Sequence, residues 1–209
     1  MARVERIALY GGTFDPVHLG HLEVARRICE LFEIEKVIFI PAQLAPHKLK
    51  RPVTEPIHRY AMLALATQND PQLLISTFEL DAPDRRYTVD TVGEFQREYG
   101  ENAELFFIMG ADSWAEITTW REWERLLNMT NHIVVTRPGY EVAAAPPGVD
   151  ESKIFFTDAV MQDVSATSIR RLAREGRLEE LRKFVPGVVA DYITKYGIYR
   201  DWNEAKLNS

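Results

Sequence analysis

The chain has 209 residues, 25 lysines and arginines against 31 aspartates and glutamates, and a formal charge of −6. That length fits a single domain with a core of its own, and the acidic balance argues against a broad nucleic-acid-binding surface. One cysteine excludes an internal disulfide and a multi-cysteine zinc site. No apolar stretch reaches the roughly 18 residues of a transmembrane span. The charged amino terminus (Arg3, Glu5, Arg6) does not resemble a signal peptide, so a cytoplasmic protein is expected.

Apolar runs of strand length fall at 4–10, 36–40, 73–76, 104–109, 131–135 and 153–156, with helical patterns at 18–32, 56–68, 88–99 and 112–127. This alternation predicts an α/β fold: βαβ units around a mostly parallel sheet with helices on both faces. Residues 138–150, rich in Pro, Gly and Ala, read as a mobile surface connection. From about 166 to 199 the pattern is helical, a carboxy-terminal part expected to pack on the sheet rather than form a second domain. Cys29, His58, Trp123 and His132 read as packing residues, and Trp202 sits in a polar tail prone to fray.

Residues 11–21 read Gly-Gly-Thr-Phe-Asp-Pro-Val-His-Leu-Gly-His, after the first strand run and opening the first helix. The glycines are expected to permit positive φ and close approach of a ligand to the backbone. Thr13 offers a hydroxyl, and Pro16 helps fix the entry to the helix. His18 and His21 fall at the helix amino terminus, where backbone N–H groups lack intrahelical partners and the dipole is positive. Three residues apart, they share a helical face and can reach one anion. Phosphate chemistry is the first expectation, placed at the carboxyl end of a strand where ligands of open α/β sheets sit.

Two other segments carry suitable groups. After the second strand, Pro41-Ala-Gln-Leu-Ala-Pro-His-Lys48 puts His47 and Lys48 in a proline-punctuated loop. Such a loop suits cationic contacts to phosphate, or a solvated basic surface. Later, Val164-Ser-Ala-Thr-Ser-Ile-Arg170 precedes a helix, with Ser165 and Thr167 as candidate caps. Arg170 in the first turn could add a guanidinium fork to the same anion.

Residues 11–21 resemble the nucleotidyltransferase signature built on His-x-Gly-His, and 164–170 is similar to that superfamily's Ile-Ser-x-Thr-x-Ile-Arg motif. Two departures stand out: Val164 replaces isoleucine, and Ala166 stands where serine is common, removing a hydroxyl contact. Further segments resemble one branch, the nicotinate mononucleotide adenylyltransferases. They are Arg86-Tyr-Thr-Val-Asp-Thr91, Gly110-Ala-Asp-Ser113, Thr118-Thr-Trp-Arg-Glu-Trp123 and Arg137-Pro-Gly-Tyr140. The resemblance runs in order from about 7 to 170.

The resemblance implies a Rossmann-like nucleotidyltransferase fold over residues 1–209. It also implies transfer of the adenylyl group of ATP to nicotinate mononucleotide, giving deamido-NAD and pyrophosphate, in NAD biosynthesis. ATP would meet Gly11, Gly12, Thr13, Phe14, His18, His21, Gly110, Asp112, Ser165, Thr167 and Arg170. The mononucleotide would meet Thr88, Trp120, Arg121, Arg137, His47 and Lys48, with its carboxylate on backbone N–H groups near Trp120 and Arg121. His18, His21, Lys48 and Arg170 would carry the catalysis, with Mg2+ delivered on ATP. From the residues alone Trp120 reads as a packing tryptophan, Asp112 as a ribose acceptor or a helix cap, and Arg137 as a phosphate contact or a surface charge. The expected partners are these small molecules, with no nucleic acid or membrane, and the oligomeric state, a homo-oligomer included, stays open. Nicotinamide mononucleotide or phosphopantetheine as acceptor, and a non-catalytic nucleotide-binding regulator, are the alternatives.

Overall fold

The computed structural model describes residues 4–43, 53–82, 84, 86–136, 143–158 and 165–200. His47, Lys48, Arg137, Val164, Trp202 and residues 138–142 lie outside the described residues.

Six strands form one sheet in which every pairing is parallel: β1 (Glu5–Gly12), β2 (Lys36–Pro41), β3 (Leu73–Ile75), β4 (Ala103–Gly110), β5 (Asn131–Val135) and β6 (Ile154–Thr157). Their order is β3-β2-β1-β4-β5-β6. Leu9 sits opposite Ile38 on one side and Phe107 on the other. The strands read as near-continuous apolar runs because both sheet faces are covered. Period-two alternation sends Ala8, Phe39, Phe106 and Ile108 to one face, and Ile7, Leu9, Phe107 and Met109 to the other.

The first face is covered by α1 (Leu19–Leu31), α2 (Pro56–Thr67), α6 (Ala166–Arg174), α7 (Leu178–Leu181) and α8 (Gly187–Tyr196). In α1 the buried Leu22, Ala25, Ile28 and Cys29 recur at helical spacing, while Arg26 and Arg27 face water. The second face is covered by α3 (Thr88–Tyr99), α4 (Ala111–Ala115) and α5 (Trp123–Met129). The carboxy-terminal helices thus pack on the sheet, as expected. His132 is fully buried, its Nε2 3.2 Å from the Leu126 carbonyl, and the His58 Nδ1 lies 2.9 Å from the Tyr192 hydroxyl. Both are packing residues.

Two expectations need correction. The helix expected over 112–127 is broken: α4 ends at Ala115, a 3-10 turn spans Ile117–Thr119, and α5 starts only at Trp123. Trp120 is extended (ψ 147°) and Glu122 is left-handed (φ 50°), and neither geometry continues a helix. The connection before β6 is also less loose than its composition suggests. The Trp114 indole donates to the Ala143 carbonyl (2.8 Å), and Ala145 and Val149 pack on the second-face core.

The strand order reverses between β1 and β4, each flanked by a crossover to opposite faces. In open α/β sheets the ligand crevice lies at such a reversal, which here falls beside the carboxyl ends Gly12 and Gly110.

Candidate active site

The turn from β1 into α1 places both signature histidines at this crevice. His18 is the N-cap residue of α1, and its backbone N–H donates to the His21 Nδ1 at 3.2 Å. With Nδ1 accepting, the neutral His21 ring carries its proton on Nε2. The two rings stack, with centroids 3.6 Å apart and planes inclined by 22°. Burial drives the His18 imidazole down to about 4, so it is uncharged at neutral pH. The pair therefore offers hydrogen bonds to an anion at a helix amino terminus rather than two formal charges. The first helical amide is already committed, since Leu19 N–H donates to the Phe184 carbonyl at 2.8 Å.

Gly11 and Gly12 act differently from the expectation. Both belong to β1, and neither has positive φ. The left-handed residue is Phe14, at φ 48°. A Cβ on Gly12 would come within 2.8 Å of the Phe14 ring, so this glycine makes room for that ring. The Phe14 ring is buried and meets His21 edge-on, with centroids 5.0 Å apart. Its side chain props the His21 imidazole from below instead of facing the crevice.

The α6 amino terminus reaches the same loop. The Arg170 Nη1 donates to the Asp15 carbonyl (2.8 Å), and Nη2 donates to the Thr167 hydroxyl (3.1 Å). Ser165 occupies the N-cap position without a side-chain cap bond. Thr167 lies inside the helix, so it is a partner of Arg170 and not a cap.

Sequence reasoning missed a buried network behind the loop. The Asp15 carboxylate accepts from the Tyr199 hydroxyl (2.7 Å) and from the Thr54 N–H (3.1 Å). Arg59, on α2, donates to three carbonyls: Thr13 (2.9 Å), Thr54 (2.9 Å) and Gln43 (3.2 Å). Relative exposures of 0% for Arg59, 6% for Asp15 and 9% for Arg170 put charged groups where they rarely sit unless paired, and the neutral Tyr199 beside them is 4% exposed. The one local signal was Asp15 inside the signature itself.

Across the crevice, the second group of candidates also comes together. Thr88 opens α3, just after Tyr87, and the Arg121 guanidinium lies over the Tyr87 ring, 4.7 Å from its centroid. Trp120 is half-buried and edge-on to Phe107, with centroids 6.4 Å apart. The Trp120 N–H donates to the Ile117 carbonyl (2.9 Å), which removes it from the expected carboxylate donors and leaves the Arg121 amide of that pair. Asp112 is exposed in the first turn of α4, whose N-cap position is Gly110. Among the described residues no group of three or more His, Cys, Asp or Glu side chains is placed to hold a metal ion.

A cytidylyltransferase-like family pattern matches residues 9–172. A Thermus thermophilus protein, named a probable nicotinate-nucleotide adenylyltransferase, is 43% identical over 93% of this chain and 100% of its own length. A Thermoanaerobacter relative with the same name is 39% identical over 96% of this chain and 97% of its own. The chain belongs to the nicotinate-nucleotide adenylyltransferases. Within that family's cytidylyltransferase-like fold, a solved Plasmodium falciparum nicotinic acid mononucleotide adenylyltransferase in complex with NaAD matches with a TM-score of 0.75. That likeness has 23% identity and covers 95% of this chain and 98% of the other. The same parasite enzyme in complex with APC gives 0.73 at 22% identity. These likenesses concern the fold, a parallel sheet with helices. In this nucleotidyltransferase the segments 11–21, 86–91, 110–113 and 118–123 all fall within the matched residues.

Proposed function

We propose that this protein transfers the adenylyl group of ATP to nicotinate mononucleotide, releasing pyrophosphate and forming deamido-NAD. The observation that carries the reading is the stacked pair His18–His21 at the amino terminus of α1, at the reversal of strand order, with Arg170 of α6 bonded to the same loop. Family membership at 39–43% identity supports the acceptor.

The chemistry asks little of the protein beyond placement and charge stabilisation. A 5′-phosphate oxygen, anionic at neutral pH, attacks the α-phosphorus of ATP in line. The bond to the oxygen bridging the α and β phosphates breaks, and pyrophosphate leaves with that electron pair. No protein base or covalent nucleophile is needed. In this proposal His18 and His21 donate hydrogen bonds to ATP phosphates, with Gly11, Gly12, Thr13, Ser165 and Thr167 lining them. Arg170 and Lys48 balance the charge that grows on the leaving group. Gly110 and Asp112 border the nucleoside, while Thr88, Trp120, Arg121, His47 and Arg137 serve the mononucleotide. Magnesium enters as an ion carried by the triphosphate. The residues fit that role, because the loop's own carboxylate, Asp15, is committed to Thr54 and Tyr199, so the ion would be brought by the substrate and would help neutralise the triphosphate. Among the described residues no helix is long and apolar enough to cross a membrane, and a cytoplasmic place belongs to the proposal.

The test is pyrophosphate release from Mg-ATP with nicotinate mononucleotide, nicotinamide mononucleotide and phosphopantetheine in separate reactions. Preference for the first supports the reading. Preference for either other acceptor keeps the transfer and overturns the substrate. ATP binding without turnover on any acceptor overturns the enzyme.

A further inference from the structure

The signature loop is held from behind. The Thr13 carbonyl accepts from Arg59, the Asp15 carbonyl from Arg170, and the Asp15 carboxylate from Tyr199 and the Thr54 N–H. These bonds close on themselves. Arg59 donates to Thr13 and to Thr54, and the Thr54 amide donates to Asp15, two residues beyond Thr13. A planar guanidinium with a rigid fork of donors holds three carbonyls in one geometry, which an ammonium would not do. Its third carbonyl, Gln43, and its second, Thr54, flank the segment that carries His47 and Lys48 in sequence.

Tyr199 closes the arrangement from the far end of the chain. α8 ends in a Schellman turn: Gly197 is left-handed (φ 64°), and the Ile198 N–H donates to the Ile193 carbonyl at 3.0 Å. That turn aims the next residue inward, and Tyr199 itself is held at φ 72°, a conformation unfavourable for a bulky side chain. Phe14, beside Asp15, is left-handed too. Two strained backbones therefore meet at one hydrogen bond, from the Tyr199 hydroxyl to the Asp15 carboxylate. Burial and the Asp15 charge both raise the Tyr199 phenol well above its usual range, so the hydroxyl stays a donor.

We propose that Arg59 and Tyr199 are positioning residues for the transfer reaction: through Thr13 and Asp15 they set the loop on which His18, His21 and Arg170 depend, without touching substrate. The proposal rests on the nucleotidyltransferase reading above. Removing the phenol oxygen alone leaves the ring's packing and frees the loop to drift. Catalytic hydrogen bonds then miss the transition state more than they miss bound ATP, because drift of about 1 Å at such a site costs on the order of 10²-fold in rate.

The experiment compares Tyr199→Phe with Tyr192→Phe, each assayed on the acceptor that the wild-type protein uses. Tyr192 lies on α8, the helix whose end leads into Tyr199, and its hydroxyl meets His58, so its loss removes a phenol hydrogen bond away from the loop. Expected for Tyr199→Phe is a fall in kcat of about tenfold or more, with the KM for ATP changed less than about threefold. Tyr192→Phe should keep the wild-type kcat. Arg59→Lys, which keeps charge but not the fork, should repeat the kcat loss, and it carries the test if Tyr199→Phe does not fold. Equal kcat in Tyr199→Phe and Tyr192→Phe overturns the proposal, as does a change confined to KM or to the melting temperature. A wild-type protein inactive on every acceptor overturns the functional reading and this proposal with it. Activity in the wild type separates the two.

Discussion

The two sides of the crevice are built by opposite means. On the phosphate side, the β1–α1 loop is gripped by buried polar groups, each donating or accepting at a fixed distance, from Arg59, Tyr199 and Arg170. On the ring side, Trp120 and Arg121 rest on aromatic contacts with Phe107 and Tyr87, and Arg121 pairs with Glu122 at 3.7 Å with both exposed. Low-dielectric hydrogen bonds are unforgiving when one partner is lost. Exposed ion pairs contribute little, and aromatic contacts tolerate small shifts. The phosphate side should therefore be rigid and intolerant, the ring side adaptable. Triphosphate chemistry needs the former, and a flat ring with a carboxylate can be met by the latter.

The sharpest contrast should come from the imidazoles. His18→Ala or His21→Ala is expected to lower turnover by about 10²–10³-fold, read by steady-state pyrophosphate release on folded protein. Next in size is Gly12→Ala, whose Cβ would meet the Phe14 ring at 2.8 Å. Displacing that ring should cost about 1–3 kcal/mol in chemical denaturation, and it should also lower activity by unseating His21.

Proton linkage separates the sides by sign. Burial lowers the His18 imidazole to about 4, so on the phosphate side stability is full above about 6.5 and is lost as the pH falls toward 4. On the ring side, burial raises the Glu79 carboxyl, which accepts from the Thr91 hydroxyl of α3 at 2.8 Å, to about 7. Its contribution is present below about 4.5 and is lost as the pH rises through 7. Glu79→Gln should thus gain about 1–2 kcal/mol on the wild type as the pH rises between those limits, after allowance for a half-buried carboxyl. His18→Ala should flatten the acid limb only. Urea melts across this range will check both slopes; the same sign for the two variants would break the comparison.

The smallest effect is expected at Trp120. Trp120→Leu should raise the KM for the mononucleotide about 2–12-fold, the worth of an aromatic contact, with kcat little changed. A loss of kcat as large as that of His18→Ala would mean that the ring side is no more tolerant than the phosphate side.

Much of this was legible in the sequence, for physical reasons that also mark where legibility stops. A parallel sheet covered on both faces writes itself as apolar runs, and β1, β2, β4 and β5 stand where those runs fall. The histidine pair could be placed because strand, glycine turn and helix are contiguous in the chain. The break in 112–127 was hidden: Trp114, Ile117, Trp120, Trp123 and Leu126 recur every three residues, close enough to helical spacing to pass for one amphipathic helix. No local pattern could pair Asp15 with Tyr199, 184 residues away, or announce that Arg59 is fully buried, since arginines on amphipathic helices usually face water. The positive φ expected at Gly11 or Gly12 fell instead on Phe14, whose ring uses the space that Gly12 leaves.

The central claim is direct adenylyl transfer to nicotinate mononucleotide, and ATP labelled on its α-phosphate tests it most directly. After incubation with Mg2+ and the mononucleotide, the label should appear in deamido-NAD, with none retained on denatured protein. Label bound covalently to the protein, or unlabelled product with intact ATP, would contradict it.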